Sequence, residues 1–180
     1  AAVFVPDYEL STEKARQALP RELPYKDAVY NVSRVGLLPA AMNPMVLAQA
    51  AQQGKSGVAA APAQDADTCA CAGGTRESPF ADELAAAQAQ SNALLFTATQ
   101  DKLHQPYRGA LMPPSTELIA LFRSKGYAAA VSGAGPCVLV LHYGNAREAI
   151  DQIASEQLAS GHWRVLHLPI NTAGVEIERR

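Results

Sequence analysis

The sequence is 180 residues long, 48% hydrophobic, 18% charged and 6% aromatic, a balance that sustains a folded core and suits one domain with an appendage. Fifteen Lys and Arg against seventeen Asp and Glu, a net charge of -2, exclude the basic stripe of a nucleic-acid binder. No stretch approaches the ~20 apolar residues of a membrane span, and Pro6, Asp7 and Glu9 interrupt the first apolar run, which speaks against a signal peptide. The expected protein is soluble and cytoplasmic, with neither nucleic acid nor membrane as partner.

Val3 to Val5 predicts a strand closed by Pro6. A chain that opens inside a strand, without Met, is expected to be a piece of a longer polypeptide. Ser11 to Pro20 predicts a short helix, capped by Ser11, favoured by Glu13 at the positive end of its dipole and stopped by Pro20. A second helix is expected from near Asp27 toward Pro39, with Ala28, Val32 and Val35 on its core face. From about residue 52 to 77 neither a helical nor a strand period persists, so this tract reads as a surface insertion. It holds Cys69 and Cys71, while Cys137 lies far away. Three such cysteines make neither a disulfide framework nor a four-ligand zinc site, and free thiols are expected.

Ser78-Pro79 opens a further helix, with Phe80, Leu84, Ala87, Leu94, Leu95 and Ala98 recurring at helical spacing to about Thr99. Gln105 to Gly109 reads as an irregular connector or short helix. Ser115 is the expected cap of a helix whose core face is Leu118, Ile119 and Phe122, with Gly126 past its end. Two apolar runs, 127–131 and 137–143, flank Ser132-Gly133-Ala134-Gly135-Pro136. Asn145 and Glu148 have the spacing of a capping box for a helix containing Ala149, Ile150, Ile153 and Leu158, ended by Gly161. Trp163 to Leu168 and Val175 to Ile177 read as strands. That order predicts an α+β fold, an antiparallel sheet with helices packed on one face, related to the ferredoxin-like split.

Three features could carry chemistry. Gly133 and Gly135, one small residue apart, let backbone N–H groups converge on an anion, although a glycine-rich hairpin turn is the competing reading. Arg108 sits in an irregular stretch, and its planar fork matches a carboxylate or phosphate; a solvated surface arginine is the alternative. Thr12 and Arg16, four apart at a helix start, share a face that could meet one polar ligand, or could simply face water. The four histidines show no ligand spacing, so no metal site is expected from these residues. Gly54-Lys55-Ser56 imitates the end of a phosphate loop, but no glycine stands five residues before Gly54.

The stretch Ala128 to Leu141, with Ser132-Gly133-Ala134-Gly135-Pro136 at its centre, resembles the third motif of the GHMP small-molecule kinases. Ser11 to Pro20, Asn31-Val32-Ser33-Arg34, Asp101 to Arg108 and Asn171-Thr172-Ala173-Gly174 are similar to the homoserine kinase family within it. The resemblance covers nearly the whole chain outside residues 52–77. It implies a GHMP kinase C-terminal, substrate-side domain over residues 1–180, with the ATP-binding N-terminal domain outside these residues. The family transfers the γ-phosphate of ATP, with Mg2+, to the side-chain hydroxyl of L-homoserine on the route to threonine. By position, Arg16 and Arg108 would clamp the substrate's α-carboxylate and Thr12 would lie beside the reacting end. Ser132, Gly133 and Gly135 would abut the nucleotide's phosphates. ATP and Mg2+ would be held mainly by the other half, so the isolated residues are expected to be inactive. Another GHMP kinase, acting on mevalonate or a sugar, stays open, as does a non-catalytic amino-acid-binding or dimerisation module. A homodimer is compatible with either.

Overall fold

The computed structural model describes residues 1–43 and 79–170. Four strands run through them: β1 (Ala2–Pro6), β2 (Ala128–Val131), β3 (Val138–Leu141) and β4 (Trp163–His167). They form one sheet in the order β2-β3-β1-β4, with every neighbouring pair antiparallel. The chain passes from β1 to β2, and from β3 to β4, through helices, and each passage skips one strand. That is the split β-α-β unit used twice, as the ferredoxin-like expectation requires.

The first passage carries α1 (Thr12–Gln17), α2 (Tyr25–Val35), α3 (Leu38–Ala41), α4 (Pro79–Ala98), α5 (Gln105–Arg108), a 3-10 turn (Gly109–Leu111) and α6 (Pro113–Ser124). The second carries α7 (Arg147–Ile153) and α8 (Ser155–Ala159). The expected insertion at 52–77, the Ser78 cap, the strand at Val175 to Ile177 and the Asn171 to Gly174 stretch lie outside the described residues.

Strand alternation builds the core. Phe4 pairs with Val138 on one side and Val165 on the other, and Ala2 pairs with Val140 and His167. Ala2, Phe4, Val138 and Val140 are fully buried and meet Leu118 and Phe122 of α6, Ile150 of α7 and Ala154. The Phe4 and Phe122 rings stand 5.1 Å apart, centroid to centroid. Removing two such side chains from water contributes roughly 1.5–3 kcal/mol each. A smaller cluster joins Ala41, Leu95 and Ala128, so α3 and α4 pack at the edge strand β2. Arg123 fastens that corner: it donates to the carbonyls of Phe96 (2.7 Å) and Ala129 (3.0 Å) and to Thr99 Oγ1 (3.1 Å).

Several local readings differ from what the chain order suggested. The α2 helix is turned the other way: Val32 and Val35 are exposed, with Tyr25 and Val29, while Tyr30, Asn31 and Arg34 face the protein through hydrogen bonds. Polar partners at residues 100 and 101 outbid the apolar stripe for the inner side. Leu84 is exposed, as are its neighbours at 82–86, and the buried α4 positions among the described side chains are Ser91, Leu95 and Ala98. Ser115 is not the cap of α6; Met112 holds that position, and Ser115 lies buried in the first turn. The α7 helix starts after Ala146 with no side-chain cap, so Asn145 and Glu148 form no capping box.

Candidate functional site

Register places the candidate residues at one end of the sheet. Phe4 and Val131 both pair with Val138, so the end of β1, the end of β2 and the start of β3 are neighbours. Residues leading into α1 and the loop between β2 and β3 therefore emerge together. The loop is closed by its own backbone: Ser132 N donates to the Cys137 carbonyl (2.8 Å) and Gly135 N to the Ser132 carbonyl (3.1 Å). Gly133 and Gly135 have φ of 64° and 91°, the left-handed region where a side chain is costly. A Cβ on Gly135 would stand 2.6 Å from Sδ of the buried Met112. The glycine there is required by close packing as well as by backbone angle.

The loop is also held from α6. The Ser115 hydroxyl donates to the Pro136 carbonyl (2.5 Å), which leaves its oxygen to accept from the Tyr8 hydroxyl at 2.7 Å. The N–H groups of Gly133 and Ala134 make no hydrogen bond to the described residues. The hairpin thus presents two unengaged amides on a braced frame.

Arg108 ends α5 and reaches across this corner. Its Nε donates to the Ala15 carbonyl at 3.1 Å and its Nη1 to the Gly133 carbonyl at 3.4 Å. The Ala15 carbonyl belongs to the last turn of α1, where helix carbonyls lack partners of their own. Two of the five guanidinium N–H groups are engaged this way, and the other three can serve an anion. Arg108 therefore brings α1 and the glycine loop together. Thr12 and Arg16 lie on α1, which Ser11 caps through Lys14 N as the sequence suggested. Both are exposed, and the Arg16 guanidinium, one residue from Ala15, takes no partner among the described residues. The Ser132 side chain likewise makes no hydrogen bond there.

Asp101 is a residue whose role the sequence reading did not find. Its side chain is 7% exposed. Oδ2 accepts from the N–H of His104 (2.9 Å) and Gln105 (2.7 Å), which caps α5. Oδ1 accepts from Leu103 N (3.2 Å) and from Asn31 Nδ2 (2.6 Å). Burial pushes its pKa up, but the hydrogen bonds from Gln105, His104, Asn31 and Leu103 outweigh burial and hold it below the ordinary value. The signal was present: Pro106 inside the first turn of a helix, with an Asp just upstream of it. Burial also lowers the pKa of His142.

Concave surface borders the brace of the loop at Tyr8. A cleft of about 420 Å³ is lined by Asp7, Tyr8, Glu117, Glu156, His162 and Trp163, and includes none of the predicted site residues. Among the described residues no group of three His, Cys, Asp or Glu side chains could hold a metal ion. No helix among them is long and apolar enough to cross a membrane.

Residues 80–159 match the family of GHMP kinases C terminal. The α+β fold, with its four-stranded antiparallel sheet, is that of a GHMP kinase C-terminal domain. It is homologous to the C-terminal part of homoserine kinases. Identity is 34% over 179 residues to the homoserine kinase of Leifsonia xyli and 33% over 178 residues to that of Clavibacter michiganensis. Each match takes in 98% of this chain and 41% of the relative, so the chain spans about two fifths of the length of these relatives. The crystal structure of homoserine kinase from Cytophaga hutchinsonii superposes with a TM-score of 0.55, at 17% identity, over 91% of this chain and 38% of that one. That likeness speaks for the fold of the GHMP domain.

The family implies ATP and Mg2+. The unengaged amides of Gly133 and Ala134, with Arg108 beside them, suit contact with a phosphate oxygen. Mg2+ is usually held by one or two carboxylates together with phosphate and water oxygens, and the candidate residues Thr12, Arg16, Arg108, Ser132, Gly133 and Gly135 supply no carboxylate to hold it.

Proposed function

We propose that this GHMP domain is the substrate-side part of a cytoplasmic homoserine kinase, which transfers the γ-phosphate of ATP to the side-chain hydroxyl of L-homoserine. The observation that carries the proposal is Arg108 joined to both the α1 carbonyl of Ala15 and the loop carbonyl of Gly133. An arginine fixed at Nε and Nη1 keeps its remaining N–H groups aimed, and an aimed guanidinium takes a carboxylate bidentately. Arg16, on the helix that Arg108 grips, is the second arm of the clamp. Thr12, one turn earlier on the same face of α1, sits beside the reacting end.

Phosphoryl transfer depends mainly on positioning and on charge stabilisation. With the α-carboxylate held, the hydroxyl oxygen attacks the γ-phosphorus in line, the bond from that phosphorus to the bridging oxygen of ADP breaks, and the hydroxyl proton is released to water. The products are O-phospho-L-homoserine and ADP. Ser132, Gly133 and Gly135 border the phosphates, and the remaining nucleotide contacts belong to an N-terminal ATP-binding half. The length of the relatives supports that division.

The test is Arg108→Ala in the kinase containing this domain. The KM for homoserine should rise by the equivalent of roughly 2–5 kcal/mol, the usual cost of leaving one buried partner of a charge pair alone. The KM for ATP should change little. Equal rises in both would remove the carboxylate role.

A further inference from the structure

We infer that Asn31 and Asp101 form a latch that positions Arg108 for the substrate carboxylate, an inference that rests on the clamp reading above. The α5 helix is four residues long. A single turn is far below the roughly 12–15 residues at which a helix holds its own shape in water. Its direction, and so the direction of Arg108 at its last position, must come from outside. The Asp101 carboxylate supplies it by accepting the N–H groups of Leu103, His104 and Gln105 at once.

Asn31 holds that carboxylate in turn. Its Nδ2 donates to Asp101 Oδ1 at 2.6 Å, and its Oδ1 accepts from Lys102 N at 2.9 Å. One amide thus closes on two consecutive residues of the connector, using a donor and an acceptor together. Its neighbours on α2 grip the residue before: Tyr30 donates its hydroxyl to Gln100 Oε1 (2.6 Å), as does Arg34 Nε (3.2 Å). The polar side of α2 is therefore turned inward onto residues 100–102. The charged or titratable groups nearest the carboxylate are His104, whose Nε2 lies 3.8 Å from Asp101 Oδ1, and Lys102, which reaches Asp27 instead. From the latch, one turn of helix leads to Arg108, whose far end is pinned at Ala15 and Gly133. The arginine is fixed at its base and its tip by different elements.

The donor pattern tells which substitutions should fail and which should repair. In Asp101→Asn an amide that keeps its oxygen on the α5 cap sets its NH2 against the Asn31 NH2, donor to donor, and a flip of Asn31 only moves that clash to Lys102 N. The exchange Asn31→Asp with Asp101→Asn reverses that bond: the new Asn donates to the new Asp, the cap keeps an oxygen, and Lys102 N keeps an acceptor. Only the weak Leu103 bond is lost.

Steady-state kinetics of the kinase containing this domain decide it. Asp101→Asn should raise the KM for homoserine about tenfold, the size of one lost buried hydrogen bond, with the KM for ATP within about twofold. The exchange variant should recover to within about threefold of the parent. In an Arg108→Ala background, Asp101→Asn should add nothing further, since both act through one guanidinium. If Asp101→Asn does not fold, Asn31→Ala, which leaves the cap in place, should give the same selective rise at about threefold. The latch is overturned if the effect is additive with Arg108→Ala, if both KM values rise together, or if the exchange fails to repair. It is also overturned if Asp101→Asn is silent while Arg108→Ala raises the KM for homoserine. A silent Arg108→Ala would instead sink the clamp itself.

Discussion

Gly133 and Gly135 look equivalent in the sequence, two glycines of one small loop, yet their surroundings differ. A Cβ on Gly133 meets nothing within 4 Å, while a Cβ on Gly135 meets Met112 Sδ at 2.6 Å. Met112 is fully buried, so it has nowhere to retreat. Gly133→Ala should cost about 1–2 kcal/mol, the left-handed penalty alone. Gly135→Ala adds overpacking and should cost about 2–4 kcal/mol. Urea midpoints of the two variants check the ranking, and equal losses would mean Met112 is less confined than it looks. The glycine pair was legible because positive φ selects glycine by sterics alone. Its division of labour was not, because Met112 comes from the α6 entry, and no spacing rule brings it to residue 135.

At the scale of elements, the same contrast separates what periodicity reveals from what it hides. The α6 helix declared itself through Leu118, Ile119 and Phe122, since a helical stripe against a sheet is a local pattern. The α2 helix has a stripe as well, yet Val32 and Val35 are bare, and its other side is bound at Gln100 and Asp101. Hydrogen bonds across some 70 residues leave no period to read. The Asp101 carboxylate joins α2 to α5, and its depressed pKa makes that joint sensitive to acid. A depressed carboxylate stabilises the fold fully above its unfolded value, near 3.8, and the contribution is lost as pH falls below it. At pH 7 the parent should be more stable than Asp101→Asn, with the gap constant down to about pH 4 and closing below it. Chemical unfolding at pH 7, 5 and 3.5 reads this directly. A gap that already closes between pH 7 and 5 would show that the Asp101 carboxylate is not what holds the joint.

Over the whole molecule, two split β-α-β units bring β1, β2 and β3 to a common end, and this makes one corner out of Ala15, Arg108 and Gly133. The four described strands, their antiparallel sheet and most of the described helices followed from the alternation of apolar runs and turns. The corner did not, because it depends on which strand ends are neighbours, and that is a property of register. The corner offers a nucleotide little: two unengaged amides and one guanidinium already holding two carbonyls. A triphosphate in water carries several charges with full hydration, and so small a set of donors leaves most of that hydration uncompensated. The 180-residue chain alone should therefore bind ATP no more tightly than about 1 mM, near 4 kcal/mol. Homoserine, which the proposed clamp would hold through its carboxylate, should perturb the Arg16 and Arg108 Nε resonances more than ATP does at equal concentration. Titration of the labelled chain by NMR compares the two ligands in one sample. Micromolar ATP binding would show that a phosphate cradle lies within this chain after all, and the proposed division into a nucleotide half and a substrate half would have to be redrawn.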